Sequence, residues 1–178
     1  MPALLGTPDG TVRTRRLSRR LALDVLYEAA IRDSLPIESF RSRQAAGWAQ
    51  TAAPQEEDEP ESMWEIEEPT PDTIAYTRAL VAGVQDHQAE IDGLIVRYAD
   101  RWALDRMPVV DKSLLRIAVF ELLWGDDIPV AVAINEAVEL AKFFSTEDSG
   151  RFINGLLGRV VEEMPDEDLP SGAGHRRE

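Results

Sequence analysis

The chain has 178 residues, enough for one domain with tails, and its 44% hydrophobic and 29% charged residues describe a water-soluble protein with a real core. It has no cysteine, which excludes disulfides, thiolate metal sites and cysteine nucleophiles and fits a reducing cytoplasm; no apolar run nears the roughly 20 residues that span a bilayer. The net charge of −14 argues against a polyanionic partner until its distribution is read. Residues 1–20 hold five arginines against one aspartate, whereas 41–70 and 161–178 carry −6 and −4, leaving −4 on the rest.

Residues 1–12 mix Gly, Pro and Thr without periodicity and read as a mobile tail, with no basic-then-apolar leader pattern. The spacing predicts a helix over about 12–33, with Leu17, Leu21 and Val25 on one stripe and Leu26 beside it. Pro36 suits the first turn of a second helix carrying Ile37, Phe40, Ala45 and Trp48. From 51 to 71, four prolines and many acids without periodicity predict a disordered acidic insertion. Helix returns near Asp72 with Ile74, Leu80, Val81 and Val84, then Ile91, Leu94, Ile95 and Tyr98, with a break near His87. Trp102, Leu104 and Met107 read as a packed connection.

Pro108 opens a helix to about Trp124 whose Leu114, Leu115, Ile117, Ala118, Val119, Leu122 and Leu123 cover most of its circumference, which marks a central buried helix. Gly125 ends it and Pro129 reopens the chain, with Val130, Ala133, Ile134, Ala137, Val138, Ala141 and Phe144 at helical spacing. Ser145 followed by Asp148 resembles a capping box before a last helix holding Phe152, Ile153, Leu156, Leu157 and Val160. Residues 164–178 read as a disordered tail. The expectation is an all-α fold: a single helical domain over 13–163, a compact bundle of about seven helices interrupted by the insertion.

Enzyme chemistry lacks its parts. His87 and His175 have no partner at metal-ligand spacing, and the glycines at 150, 155 and 158 match no phosphate-binding loop. Glu121, on a nearly all-apolar helix, reads as a paired structural carboxylate. No cofactor and no metal are expected.

Two segments suit a nucleic acid. Arg13, Arg15, Arg16, Arg19 and Arg20 fall within eight residues; on a helix Arg13, Arg16 and Arg20 form one stripe and Arg15 and Arg19 another. Phosphates would relieve their mutual repulsion, and a solvated basic cap with an Arg20–Asp24 pair is the plainer reading. In STEDSGRFINGLLG (145–158), Ser149, Arg151 and Asn154 offer donors to unpaired bases and Phe152 a stacking face. Phe152 also shares spacing with Leu156 and Val160, so a core role stands beside the stacking one, and Gly155 reads as a close helix contact.

The stretch VDKSLLRIAVFELLWGDDIPVAVAINEAVELAKFFSTEDSGRFINGLLG (110–158) resembles the C-terminal half of the NusB transcription-antitermination family, with its VxKxxLRIA, DxPxxVAINEAVELAK and ED-S-x-R-F-I-NG-L-L elements in order. RTRRLSRRLALDVLYEA resembles the family's arginine-rich start, and Trp102, Leu104, Asp105 and Arg106 its turn before the central helix. The resemblance implies a seven-helix, non-enzymatic cytoplasmic protein. It implies pairing with NusE, a small-subunit ribosomal protein, binding of boxA-type single-stranded RNA, and antitermination on RNA polymerase over ribosomal RNA operons. By position it places Arg15, Arg16 and Arg19 in the RNA-binding arginine segment. It places Phe152 and Asn154, with Asp148, Ser149 and Arg151, in a second RNA-facing patch, and Tyr27 and Asp111 on the NusE face. The chain departs from the family at Leu17, where some members have another arginine, and in its longer acidic insertion. The alternative is a helical protein-interaction adaptor or homodimer with little RNA affinity. A ribosomal RNA methyltransferase on the same fold would need a catalytic cysteine and a cofactor domain.

Overall fold

The computed structural model describes residues 8–48, 68–100 and 102–165. Seven α-helices follow in order: α1 (Pro8–Arg32), α2 (Pro36–Ala45), α3 (Pro71–Asp86), α4 (Gln88–Tyr98), α5 (Val109–Trp124), α6 (Val130–Phe144) and α7 (Glu147–Glu163), with a 3-10 turn at Leu104–Arg106. No strand occurs among the described residues, as the absence of alternating patterning predicts. The acidic stretch lies outside the described residues except for 68–71, and the tail except for 164–165. The residues divide into two compact units, one up to Val81 and one from Ala82.

In the first unit α1 begins at Pro8, earlier than the apolar stripe alone suggests, because proline's fixed φ suits a helix start. Leu21, Ala22, Val25, Leu26 and Ala29 bury the second half of α1, whereas Leu17 is only half-buried. Asp33 closes the helix in the left-handed region (φ 51), letting the Ser34 amide donate back to the Ala29 carbonyl at 3.0 Å. Leu35 precedes a proline and is held extended (ψ 137), and Pro36 starts α2. Gly47 (φ 69) turns the chain after α2 and brings Trp48 edge-on to buried Phe40, centroids 5.5 Å apart. Arg43 pairs with Glu28 across α1 and α2. Thr70 caps α3 by accepting the Thr73 amide at 3.2 Å, and Ser18 donates to the Thr73 carbonyl at 3.0 Å, tying α1 to α3.

In the second unit α5 packs against α4, α6 and α7. Leu114, Leu115, Ile117, Ala118, Val119 and Leu122 are buried as expected, while Leu123 is half-buried. Arg116 grips Asp92 of α4 with two hydrogen bonds of 2.8 Å, and Tyr98 donates to Glu163 at 3.0 Å to join α4 to α7. His87 marks the break between α3 and α4. It is a helix-end residue, its ring stacked on Trp124 at 3.9 Å. Thr146, not Ser145, caps α7: its hydroxyl accepts the Ser149 amide at 3.0 Å. Ile153, Leu156, Leu157 and Val160 are wholly buried, each contributing about 1.5–3 kcal/mol, and hold α7 in one rotation.

Candidate nucleic-acid interface

The five arginines that the sequence groups together occupy different environments. Arg13 is exposed and Arg15 and Arg16 are half-buried. Arg15 lies over the Tyr76 ring, 5.7 Å from its centroid, a cation–π contact that steadies the guanidinium. Arg19 and Arg20, expected on the surface, are only 3% and 1% exposed. The reason lies in α1 itself: from Ser18 to Leu23 every side chain is buried, so no face of that turn remains for solvent. Burial pushes the Arg20 guanidinium below its ordinary value, against the opposing pull of Asp24. Burial likewise raises the Asp24 carboxyl, opposed by Arg20 and Arg43 and reinforced by Glu28. The Arg20–Asp24 pair foreseen on the helix surface thus joins a buried guanidinium to a half-buried carboxylate.

At the start of α7 the candidates also separate. Asp148, Arg151 and Asn154 are exposed, Asp148 and Arg151 pairing with each other at 3.1 Å. Both ends of that pair are open to water, so the pair holds neither charge firmly and Arg151 can exchange it for another anion. Ser149 is enclosed. Its hydroxyl donates to Asp111 Oδ2 at 2.7 Å. Asp111, expected on a partner-facing surface, is 0% exposed; it sits in the first turn of α5 and fixes the first turn of α7. Both residues therefore position the site from inside. Phe152 is half-buried, between the exposed Arg151 and the wholly buried Ile153, and packs edge-on to Trp102 with centroids 4.7 Å apart. Tyr27, the other partner-face candidate, is 44% exposed, and Ile31 one turn on is exposed as well.

Residues 16–162 match the NusB family. The chain belongs to that family. Among its NusB relatives is the transcription antitermination protein NusB of Salinispora arenicola, 47% identical over 148 residues, which are 83% of this chain and 95% of the relative. NusB from T. maritima superposes with a TM-score of 0.68 at 31% identity, covering 86% of this chain and 95% of that one. A structure of antitermination factors NusB and NusE in complex with dsRNA superposes with a TM-score of 0.67 at 25% identity, covering 85% and 98%. The NusB match reaches from Arg16 to the last turn of α7, so it includes the α7 segment and Arg16, Arg19 and Arg20 of the first segment, while Arg13 and Arg15 precede it.

Sequence reasoning did not single out Tyr76 or Trp102 as site residues. Tyr76 lies outside the apolar stripe of α3, and Trp102 reads as packing, although both carry the aromatic signal that often accompanies arginine in nucleic-acid interfaces. Among the described residues no helix is long and apolar enough to cross a membrane, and no three His, Cys, Asp or Glu side chains gather as for a metal ion.

Proposed function

We propose that this NusB-family chain is a transcription antitermination factor that binds boxA-type RNA together with NusE and supports transcription of ribosomal RNA operons from the cytoplasm, by binding and not by catalysis. The observation that carries the reading is the division of α7. Ile153, Leu156, Leu157 and Val160 are wholly buried, yet Phe152, at core spacing, keeps part of its ring in solvent between exposed Arg151 and Asn154. An aromatic face, an amide and a guanidinium on one short stretch can stack on and hydrogen-bond to unpaired bases. Arg13, Arg15 and Arg16 at the start of α1 supply phosphate contacts. The solved NusB–NusE–dsRNA complex supports both partners. Exposed Tyr27 and Ile31 favour a protein partner on α1.

The test is fluorescence anisotropy of a fluorescein-labelled boxA-type RNA titrated with this chain, alone and with NusE, against an RNA of scrambled sequence. Binding that NusE strengthens and that prefers the boxA-type sequence supports the reading. Equal, weak binding of both RNAs with and without NusE leaves the adaptor or homodimer reading in its place.

A further inference from the structure

Phe152 does not stand alone at its helix start. Trp102, in the connection between α4 and α5, is 37% exposed, and its ring meets Phe152 at an interplanar angle of 65°. Two rings so disposed cannot both lie flat on one base, but they make a corner. A base stacked on one ring presents its edge to the other, an arrangement aromatic systems favour because ring faces are negative and ring edges positive.

One turn along α7 from Phe152 stands Gly155, the poorest helix former apart from proline. Its backbone has no left-handed φ to require glycine, and a Cβ built there would meet nothing within 4 Å. The close helix contact that the sequence suggests for it is therefore absent. Gly150 on the same helix differs, because a Cβ there would press on Lys142 at 3.0 Å, whereas Gly158 is as open as Gly155. No internal packing accounts for a bare backbone at 155, three residues from Phe152 on the same helix face.

We propose that Trp102 is a second stacking residue of the RNA site, and that Trp102, Phe152 and the open backbone at Gly155 form a corner that takes one unpaired nucleobase. The occupant is a base of single-stranded RNA, since a base paired in a duplex cannot offer its full face to a side chain. Arg151, exposed and beside Phe152 in the helix, is placed for the adjoining phosphate. The inference rests on the RNA-binding reading above and adds to it the residues that receive the base.

The experiment compares wild type, Trp102→Ala, Trp102→Phe, Gly155→Gln and the double variant Arg15→Ala/Arg16→Ala by anisotropy with the labelled boxA-type RNA, by thermal melting, and by tryptophan emission with unlabelled RNA. Trp102→Ala should weaken binding about five-fold or more, and Trp102→Phe much less. Gly155→Gln should weaken binding while melting no earlier than wild type, because glycine leaves the helix and the new side chain meets open space. RNA should quench tryptophan emission in the wild type and less in Trp102→Phe. If Trp102→Ala and Gly155→Gln bind like wild type while the double arginine variant is weakened, the corner is refuted and the RNA-binding reading survives. If Trp102→Ala is weakened but RNA leaves the emission unchanged, Trp102 only props Phe152 and its stacking role falls. If the wild type binds no RNA, both readings fail together.

Discussion

The division of the arginine cluster can be tested by setting two of its members against a third. Arg15 and Arg16 keep part of their side chains in solvent, whereas Arg20 is among the largest fully buried side chains of the protein. Replacing Arg15 and Arg16 with alanine removes two phosphate contacts. For single-stranded RNA each contributes about 0.7 to the slope of log affinity against log salt, so the slope should fall by about 1.4. Stability should change by no more than about 1 kcal/mol, the usual range for surface positions. Arg20→Ala acts the other way. It empties a large enclosed volume and leaves half-buried Asp24 with Arg43 as its remaining cation, and removing a large buried side chain together with its half of a pair costs about 3–5 kcal/mol. At about 2–4 °C per kcal/mol for a chain of this size, melting should fall by about 6–20 °C. Anisotropy over a salt series and differential scanning calorimetry measure the two effects. An unchanged slope in the double variant, or an Arg20→Ala protein that melts with the wild type, refutes the division.

Phe152→Ala should cost about 1–3 kcal/mol of stability, less than Leu156→Ala at about 2–5, because part of its side chain is already in water; it should also lose RNA affinity, which Leu156→Ala, once folded, should keep. Equal melting loss with normal RNA binding for Phe152→Ala would return it to the core. Asp24 has a raised carboxyl in the folded chain, so the folded state favours its protonated form, and its contribution to stability declines as pH rises above the ordinary carboxylate value of about 4. Urea titrations of wild type and Asp24→Asn between about pH 4 and pH 7 should therefore shift in favour of the asparagine variant as pH rises; a shift the other way means that the pairing with Arg20 and Arg43 outweighs burial. Removing residues 52–67 takes away seven acidic groups and should tighten RNA binding most at low salt, with a titration in about 0.05 M and 0.3 M salt as the check; affinity unaltered in both places those charges out of electrostatic reach of the RNA.

Helix positions were legible because their periodicity and punctuation are strong. The apolar wrap of α5, Pro36 at the start of α2, and Gly125 and Pro129 around the α5–α6 connection each state a boundary that the structure keeps. Boundaries that depend on competing candidates were less so. Ser145, Thr146 and Ser149 all carry hydroxyls, and only the extended backbone of Thr146 (ψ 164) decides which one caps α7. The arginines illustrate the deeper limit. Helical spacing tells which of them share a stripe, but not that the turn around Arg19 and Arg20 is enclosed on every side. That depends on the fold around α1, which no local pattern records. Gly155 shows the opposite limit: a glycine in a helix usually marks packing, and here a Cβ would meet open space, while Trp102 packs on Phe152 and still stays partly in solvent.

The buried Asp111 explains how a short helix start can serve as a binding edge without loosening. Arg151, Phe152 and Asn154 lie just past the first turn of α7, whose backbone amides up to Ser149 have no carbonyls to bond within the helix and where fraying is easiest. Thr146 takes one of those amides, and Ser149 passes the connection on by donating to Asp111 in the first turn of α5. A hydrogen bond to a buried carboxylate is worth about 1.5–3 kcal/mol, against about 0.5–1.5 for a neutral one, so this link anchors the turn more firmly than the cap alone. The polar groups are thus used inward, while the ring, the amide and the guanidinium are left for outside contact. The family resemblance puts Asp111 on the NusE face, and the residue pattern offers Ser149 as a donor to RNA, yet both side chains are buried. Their chemistry instead fixes the rotation of α7, and with it the direction in which Phe152 and Asn154 face.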